Sequence, residues 1–266
     1  LTALEEGAMC VALSSGTSAV MYSLINIMSQ GDNFVTANQL YGGTYTMFDN
    51  ILPEYGIDSK KVDITDLAAV ENAIDDKTRC FYAETLPNPK LNVFPIAEVA
   101  KIGRELGIPL IMDNTAAPIL CRPFEHGAAV IVYSTTKYIG GHGTSIGGLL
   151  VDGGNFPWQN HAERQPALNQ PDPSYHGAVW VKAVEPIGPV AYIIKARTTL
   201  LRDLGSAFSP FNAFQVIQGL ETLPLRMREH CSNAERVADF LSKHTSVTNV
   251  IYPGIQSGAH KANADK

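Results

Sequence analysis

The sequence predicts an α/β fold, a mostly parallel sheet covered by helices in three layers. Through residues 1–150, short apolar or β-branched runs alternate with longer amphipathic stretches, the order produced by βα units wound around one sheet. The chain's 266 residues, 45% hydrophobic and 17% charged, can bury a substantial core and sit at the upper edge of one domain's usual size.

Each element has its own signal. Strand-like runs fall at 9–13, 33–37, 61–64, 78–84, 109–113 and 129–134. Between them, helical spacing of apolar residues covers 18–29, 44–52, 66–74 and 96–106, the last closed by Gly107 as a C-cap. Residues 147–152 add one more strand. The stretch 153–173, rich in Gly, Pro, Asn and Gln, reads as a long surface loop. From residue 190 onward the pattern is helical, including 212–220 and 224–242, before a strand-like run at 247–252 and a polar stretch at 260–266. At the other end, residues 1–7 read as the last turns of a helix, so both termini look cut. The expected division is a ligand-binding large domain at 1–190, followed at 191–266 by connecting helices and the start of a further, incomplete domain.

Composition narrows the partners. A net charge of −6 without a block of like charges argues against a nucleic-acid or anionic-membrane footprint and favours small molecules. Cys10, Cys80, Cys121 and Cys231 are scattered, with no CxxC or Cys/His ligand spacing, so neither a disulfide framework nor a metal site is expected. The scattered cysteines favour a reducing, cytoplasmic setting, and short apolar runs with no charged-then-apolar N-terminus give no sign of targeting or anchoring.

Ligands of open α/β sheets bind at the carboxyl ends of strands, and three such ends carry suitable groups. Ser14-Ser15-Gly16-Thr17-Ser18 follows the first strand and opens a helix, offering backbone N–H groups to a phosphate; a plain N-cap by Ser15 or Ser18 is the alternative. The apolar run before Asp113 ends abruptly in that acid, which can pair with a cationic ligand atom or cap the following turn. The next strand leads into Ser134-Thr135-Thr136-Lys137 and then a glycine-rich segment around His142; an exposed surface lysine and a solvated histidine are the plain readings. Together the three places meet the needs of pyridoxal 5′-phosphate (PLP). A lysine amine forms an imine with the aldehyde, a carboxylate keeps the pyridine nitrogen protonated, and N–H groups with hydroxyls hold the phosphate.

The motifs Ser14-Ser15-Gly16-Thr17, Tyr41-Gly42-Gly43-Thr44, Glu84-Thr85-Leu86-Pro87-Asn88-Pro89, Asp113-Asn114-Thr115 and Ser134-Thr135-Thr136-Lys137-Tyr138 resemble, in order, those of the Cys/Met-metabolism family of fold-type I PLP enzymes. The resemblance implies a three-layer PLP-transferase-like domain. It implies Lys137 as Schiff-base lysine and proton shuttle, Asp113 as partner of the pyridine nitrogen, and Gly16, Thr17, Ser134 and Thr136 around the phosphate. Tyr41 would stack on the cofactor ring and assist proton transfer or leaving-group departure. Asn88 would hydrogen-bond near the ring oxygen and the substrate carboxylate. Core packing is the plain alternative for Tyr41, and turn capping for Asn88.

Further motifs, Gly140-Gly141-His142-Gly143-Thr144-Ser145, Asp152-Gly153-Gly154, Pro171-Asp172-Pro173-Ser174-Tyr175-His176-Gly177 and Ser209-Pro210-Phe211-Asn212-Ala213-Phe214, resemble the O-acetylhomoserine sulfhydrylase subgroup. That implies replacement of the γ-acetoxy group by sulfide, giving homocysteine, in a homodimer or a tetramer of dimers. The family's N-terminal arm and the C-terminal domain with its carboxylate-binding arginine have no counterpart here, so weak turnover is expected of this stretch alone. The competing expectations are a γ-lyase of the same family, such as methionine γ-lyase, and a catalytically incompetent fragment serving as a binding or assembly module. A nicotinamide-binding domain fits less well, lacking a glycine fingerprint and an acid placed for a ribose.

Overall fold

The computed structural model describes residues 1–63 and 65–266. Among the described residues, seven strands form one sheet in the order β1-β7-β6-β5-β4-β2-β3. They are β1 (Met9–Leu13), β2 (Asn33–Ala37), β3 (Asp58–Val62), β4 (Thr78–Glu84), β5 (Leu110–Asp113), β6 (Val130–Ser134) and β7 (Gly148–Asp152). β3, β2, β4, β5 and β6 run parallel, while β7 is antiparallel to both β1 and β6. Two reversals therefore bring β1 back to the direction of the parallel set, so its carboxyl end opens on the same edge.

The helices over the first half are α1 (Gly16–Ile25), α2 (Gly42–Thr46), α3 (Leu67–Asn72) and α4 (Ile96–Leu106). In α4, Ile96, Val99, Ala100 and Gly103 share the buried face, and Gly107 closes the helix in the left-handed region at φ 73°. The second half carries α5 (Pro166–Asn169), α6 (Trp180–Ala183), α7 (Ala191–Lys195), α8 (Arg202–Leu204), α9 (Pro210–Glu221), α10 (Leu223–Ser242) and α11 (Gly258–Ala264).

Side-chain alternation along β6 and β7 explains the layering. Val130, Val132 and Leu150 join the large core with α1 and α7, whereas Ile131, Tyr133, Leu149 and Val151 point the other way. There they meet Val216 of α9 and Leu223 and Met227 of α10 in a second cluster. Trp158, buried and stacked on Tyr192 with ring centroids 5.3 Å apart, and the T-shaped pairs Phe34–Phe48 and Phe48–Tyr82 extend the large core. The two ends of α1 and α7 are also tied by polar groups. Asn26 Nδ2 donates to Tyr192 O, and the buried Lys195 Nζ donates to Asn26 O, each at 2.8 Å.

Several expectations are corrected. β3 starts at Asp58, earlier than the 61–64 run, and residue 64 lies outside the described residues. As an edge strand it carries Asp, Ser and two Lys, which mask the apolar pattern. The 44–52 helix is α2 followed by a π-helical turn, Met47–Ile51, and a 3-10 turn, Leu52–Tyr55, with Pro53 lacking the amide an α-helix would use there. The 153–173 loop contains a 3-10 turn and α5, held by buried Gln165, whose Nε2 donates to Arg79 O at 2.8 Å and Gly107 O at 2.9 Å. Residues 247–252 form no strand; Ile251 is exposed and Tyr252 leads into a 3-10 turn. The polar stretch after it is partly helical, as α11. Residues 1–7 are hydrogen-bonded turns with Glu6 at φ 56°, not a helix end.

Candidate active site

The carboxyl ends of β1, β4, β5 and β6 converge. Glu84 of β4 stands in register with Asp113 of β5, and both Leu13 of β1 and Ser134 of β6 pair with Gly148 of β7. At Gly148 the absence of a side chain is required: a Cβ would sit 2.1 Å from Ser15 O. A Cβ on Gly16 would lie 2.6 Å from Ser134 Cβ. The start of α1 is thereby drawn down onto the end of β6.

Ser15 caps α1, its Oγ accepting from Ser18 N at 3.0 Å. The capping role and a phosphate cradle are compatible, because Gly16 and Thr17 hold first-turn amides that have no carbonyl within the helix to donate to. Thr136 Oγ1 accepts from Gly147 N at 3.2 Å, and Ser134 N donates to Thr115 Oγ1 at 2.7 Å. These bonds fix the backbone on either side of the Ser134 and Thr136 hydroxyls.

Asp113 Oδ1 accepts from Thr115 N at 2.9 Å, so the turn-capping role exists, and Oδ2 accepts from Tyr82 Oη at 3.3 Å. Burial raises its pKa above the ordinary carboxylate value, the bonds from Thr115 and Tyr82 opposing. A cationic ring nitrogen would supply the missing counter-charge. Lys137 begins the segment after β6, exposed, with no ion pair or side-chain hydrogen bond at Nζ among the described residues. Its backbone is held by Lys137 N to Ser134 O at 3.3 Å and Gly141 N to Lys137 O at 2.8 Å.

Tyr41 precedes α2 with its ring about half exposed, and Gly43 leaves room for that ring, since a Cβ there would meet Tyr41 Cε1 at 2.7 Å. Asn88 is exposed in the loop after β4. All eight candidates, Gly16, Thr17, Tyr41, Asn88, Asp113, Ser134, Thr136 and Lys137, lie on the wall of one cavity of about 860 Å³. His142 stands apart, exposed, with Nδ1 2.9 Å from Gly140 O.

The wall also holds Glu84 and Thr115, quoted above only as members of motifs, and Arg226 and His230, which the sequence did not single out. Arg226 of α10 donates to Tyr138 O at 2.6 Å, Ile139 O at 3.2 Å, Gly219 O at 2.7 Å and Thr222 Oγ1 at 3.0 Å. Among the described residues no carboxylate lies within 4.0 Å of its nitrogens. Nothing in the amphipathic pattern of α10 distinguishes an arginine that clamps carbonyls from a solvated one.

An unpaired amine, a desolvated carboxylate awaiting a cation, and a first-turn amide cradle beside two hydroxyls fit the aldehyde, pyridine and phosphate of PLP respectively. Comparison with known proteins agrees. O-acetyl-L-homoserine sulfhydrylase of Leptospira meyeri is 48% identical over 272 residues, covering 100% of this chain and 61% of that protein. A Campylobacter jejuni structure described as an O-acetylhomoserine (thiol)-lyase, in which a lysine carries a pyridoxyl monophosphate, matches with a TM-score of 0.92 and 38% identity over 99% of this chain and 65% of its own. O-acetylhomoserine sulfhydrylase of Wolinella succinogenes matches with a TM-score of 0.86 and 32% identity over 99% and 72%. The chain thus spans about 61% of the length of the Leptospira relative. The profile of the family described as Cys/Met metabolism PLP-dependent enzyme matches residues 1–266, and the chain belongs to that family.

Proposed function

We propose that this chain carries the PLP site of an enzyme that replaces the γ-acetoxy group of O-acetylhomoserine with sulfide, giving homocysteine and acetate. The observation that supports it is the gathering of eight residues from five separate motifs on one cavity wall. The names of the similar proteins point to the same substrate.

When bound, PLP supplies a carbonyl carbon for an amine and a ring that withdraws electrons from the substrate's α carbon. In our reading, Lys137 Nζ would hold PLP at its carbonyl carbon and, as the nearby base, would take the substrate's α-proton. Asp113 holds the pyridine nitrogen in its protonated form. The amides of Gly16 and Thr17, with the hydroxyls of Ser134 and Thr136, bind the phosphate at the positive end of α1. Tyr41 stacks on the ring and Asn88 orients its oxygen. Residues 1–190 form the cofactor-binding domain and 191–266 the helices that connect it to a further domain. A cytoplasmic homodimer or tetramer of dimers completes the proposal, by likeness to the family. No described helix is long and apolar enough to cross a membrane.

Borohydride reduction after saturation with PLP, followed by peptide mapping, tests the assignment. A pyridoxyl adduct on Lys137, lost in Lys137→Ala, is expected; an adduct elsewhere, or none, overturns it. For the reaction, O-acetylhomoserine with sulfide is set against methionine alone. Turnover of methionine in preference would make the enzyme a γ-lyase.

A further inference from the structure

We infer that Glu84 is a positioning residue that locks the Tyr41 segment to the Asn88 loop through the two oxygens of one carboxyl group, and so aligns the two residues proposed to contact the cofactor ring. Its side chain, 7% exposed, ends β4 on the cavity wall. Oε1 accepts from Tyr41 N at 2.5 Å, and Oε2 accepts from Asn88 N at 3.4 Å. These two amides come from segments separated by α2, β3, α3 and β4, and their common acceptor is this carboxyl group.

The arrangement does not serve the sheet. β4 is held to β2 and β5 by its own backbone ladder, and Glu84 takes part in that ladder opposite Asp113 through main-chain atoms. The side chain instead reaches outward to two loops, which also meet farther out where Asn92 Nδ2 donates to Gln39 Oε1 at 3.1 Å. Tyr41 O accepts from Tyr45 N at 2.9 Å within α2, and the loop after β4 is closed by Leu91 N to Pro87 O at 2.8 Å. Neither bond links the two segments to each other.

Keeping an acid there is costly. Burial first, and the adjacent Asp113 second, push the Glu84 carboxyl up to about 8, with the two amides opposing. An amide side chain of the same shape could not satisfy both donors, because it offers one oxygen and one NH2 group, and the latter would face a second N–H. Both oxygens of a carboxyl group can accept, with or without its proton, and that is what the geometry uses.

The inference rests on the reading of Tyr41 and Asn88 as ring contacts, and two variants of the full chain test it. Glu84→Gln retains one acceptor; Glu84→Met retains the volume and none. Amide hydrogen exchange of the protein without PLP reads the clamp directly. Expected is local acceleration at residues 41 and 88, about tenfold in Glu84→Met and less in Glu84→Gln, with β4 and β5 unchanged. PLP affinity, read by quenching of tryptophan fluorescence, falls in the same order, again by about tenfold in Glu84→Met. The absorption band of the bound cofactor shifts as the Tyr41 ring loses its alignment.

Wild-type exchange at both amides overturns the inference, and so does exchange that rises uniformly across the sheet, which would make Glu84 a general support. Should Glu84→Met fail to fold, Glu84→Gln decides by the same two readouts, and its unfolding would also count against positioning. Borohydride mapping of the wild type separates this from the larger reading. An adduct on Lys137 with unchanged exchange in the variants sinks the Glu84 role alone; accelerated local exchange without any adduct sinks the cofactor assignment and leaves only the clamp between the two segments.

Discussion

Among single residues, half-buried Asp113 and fully buried Asp152 both have carboxyls raised in pKa by desolvation, yet their surroundings differ. Asp113 opens on the cavity and receives Tyr82 Oη, so a cation brought by a ligand can complete it. Asp113→Asn removes that charge partner while keeping an acceptor for Thr115 N, and PLP affinity should fall by roughly 10- to 100-fold, the range of a hydrogen bond to a charged group. Tyr82→Phe removes only one long bond to the carboxylate and should cost less than tenfold; titration of PLP into each variant orders them. Asp152 has no such outlet: Oδ1 accepts from Gly154 N at 2.9 Å and Oδ2 has no partner among the described residues. Burial pushes it from 3.8 up to about 7. The folded protein therefore binds this proton more tightly than the unfolded chain does, and the stability gained is complete below about pH 4 and lost as pH rises through 7. Urea unfolding should show stability falling between about pH 4 and pH 7, and Asp152→Asn should reduce that slope, leaving the part that Glu84, raised to about 8, contributes. An unchanged slope in the variant would remove Asp152 as its source. Strand-end position made Asp113 legible from sequence. Asp152 was quoted only within a motif, because its burial depends on β7 lying between β1 and β6, which no local pattern announces.

Elements were most legible where the period of the side chains follows from burial. β1, β2 and β4 begin and end where their apolar runs do, and α4 ends at its glycine. Legibility failed where a neighbour, not the local pattern, sets the structure: β3 is charged because it is an edge, and residues 247–252, rich in β-branched side chains, pair with no strand. The antiparallel direction of β7 was equally hidden, although it decides the site by returning β1 to the same edge as β6. Gly148 is where that consequence is sharpest. An alanine Cβ 2.1 Å from Ser15 O must displace either β7 or the start of α1, both backbone, with no flexible side chain to yield. Gly148→Ala should cost about 1–3 kcal/mol, the usual range for overpacking, and should weaken PLP binding because the amides of Gly16 and Thr17 move with α1. Gly42→Ala is the control: its Cβ would meet nothing within 4 Å, so stability should stay within about 0.5 kcal/mol of wild type. Denaturant unfolding with and without PLP measures both effects.

For the whole molecule, the question is how the C-terminal helices and the βα body become one cooperative unit at the site. Apolar packing supplies part of the answer, since Val216, Leu223 and Met227 cover the second face of β6 and β7. Arg226 supplies the directed part. Its donors take the carbonyls of Tyr138 and Ile139, immediately after Lys137, together with Gly219 at the end of α9. One side chain thus fastens the lysine-bearing segment to two helices, and the approach is close, because a Cβ on Gly141 would sit 2.6 Å from the Arg226 guanidinium. Arg226→Met keeps the aliphatic stem and removes all these bonds, leaving three carbonyls to find water. PLP binding then has to order a segment that the native protein already holds, which lowers affinity by about tenfold if the loss is near 1.4 kcal/mol. At a PLP concentration about 100 times the wild-type dissociation constant, the ligand should stabilise the wild-type fold by about 2.7 kcal/mol, and the variant by about 1.4 kcal/mol. Thermal unfolding with and without PLP, compared between the two proteins, measures that increment. A variant that is less stable yet shows the full wild-type increment would mean that Arg226 holds the helices to the sheet without preparing Lys137.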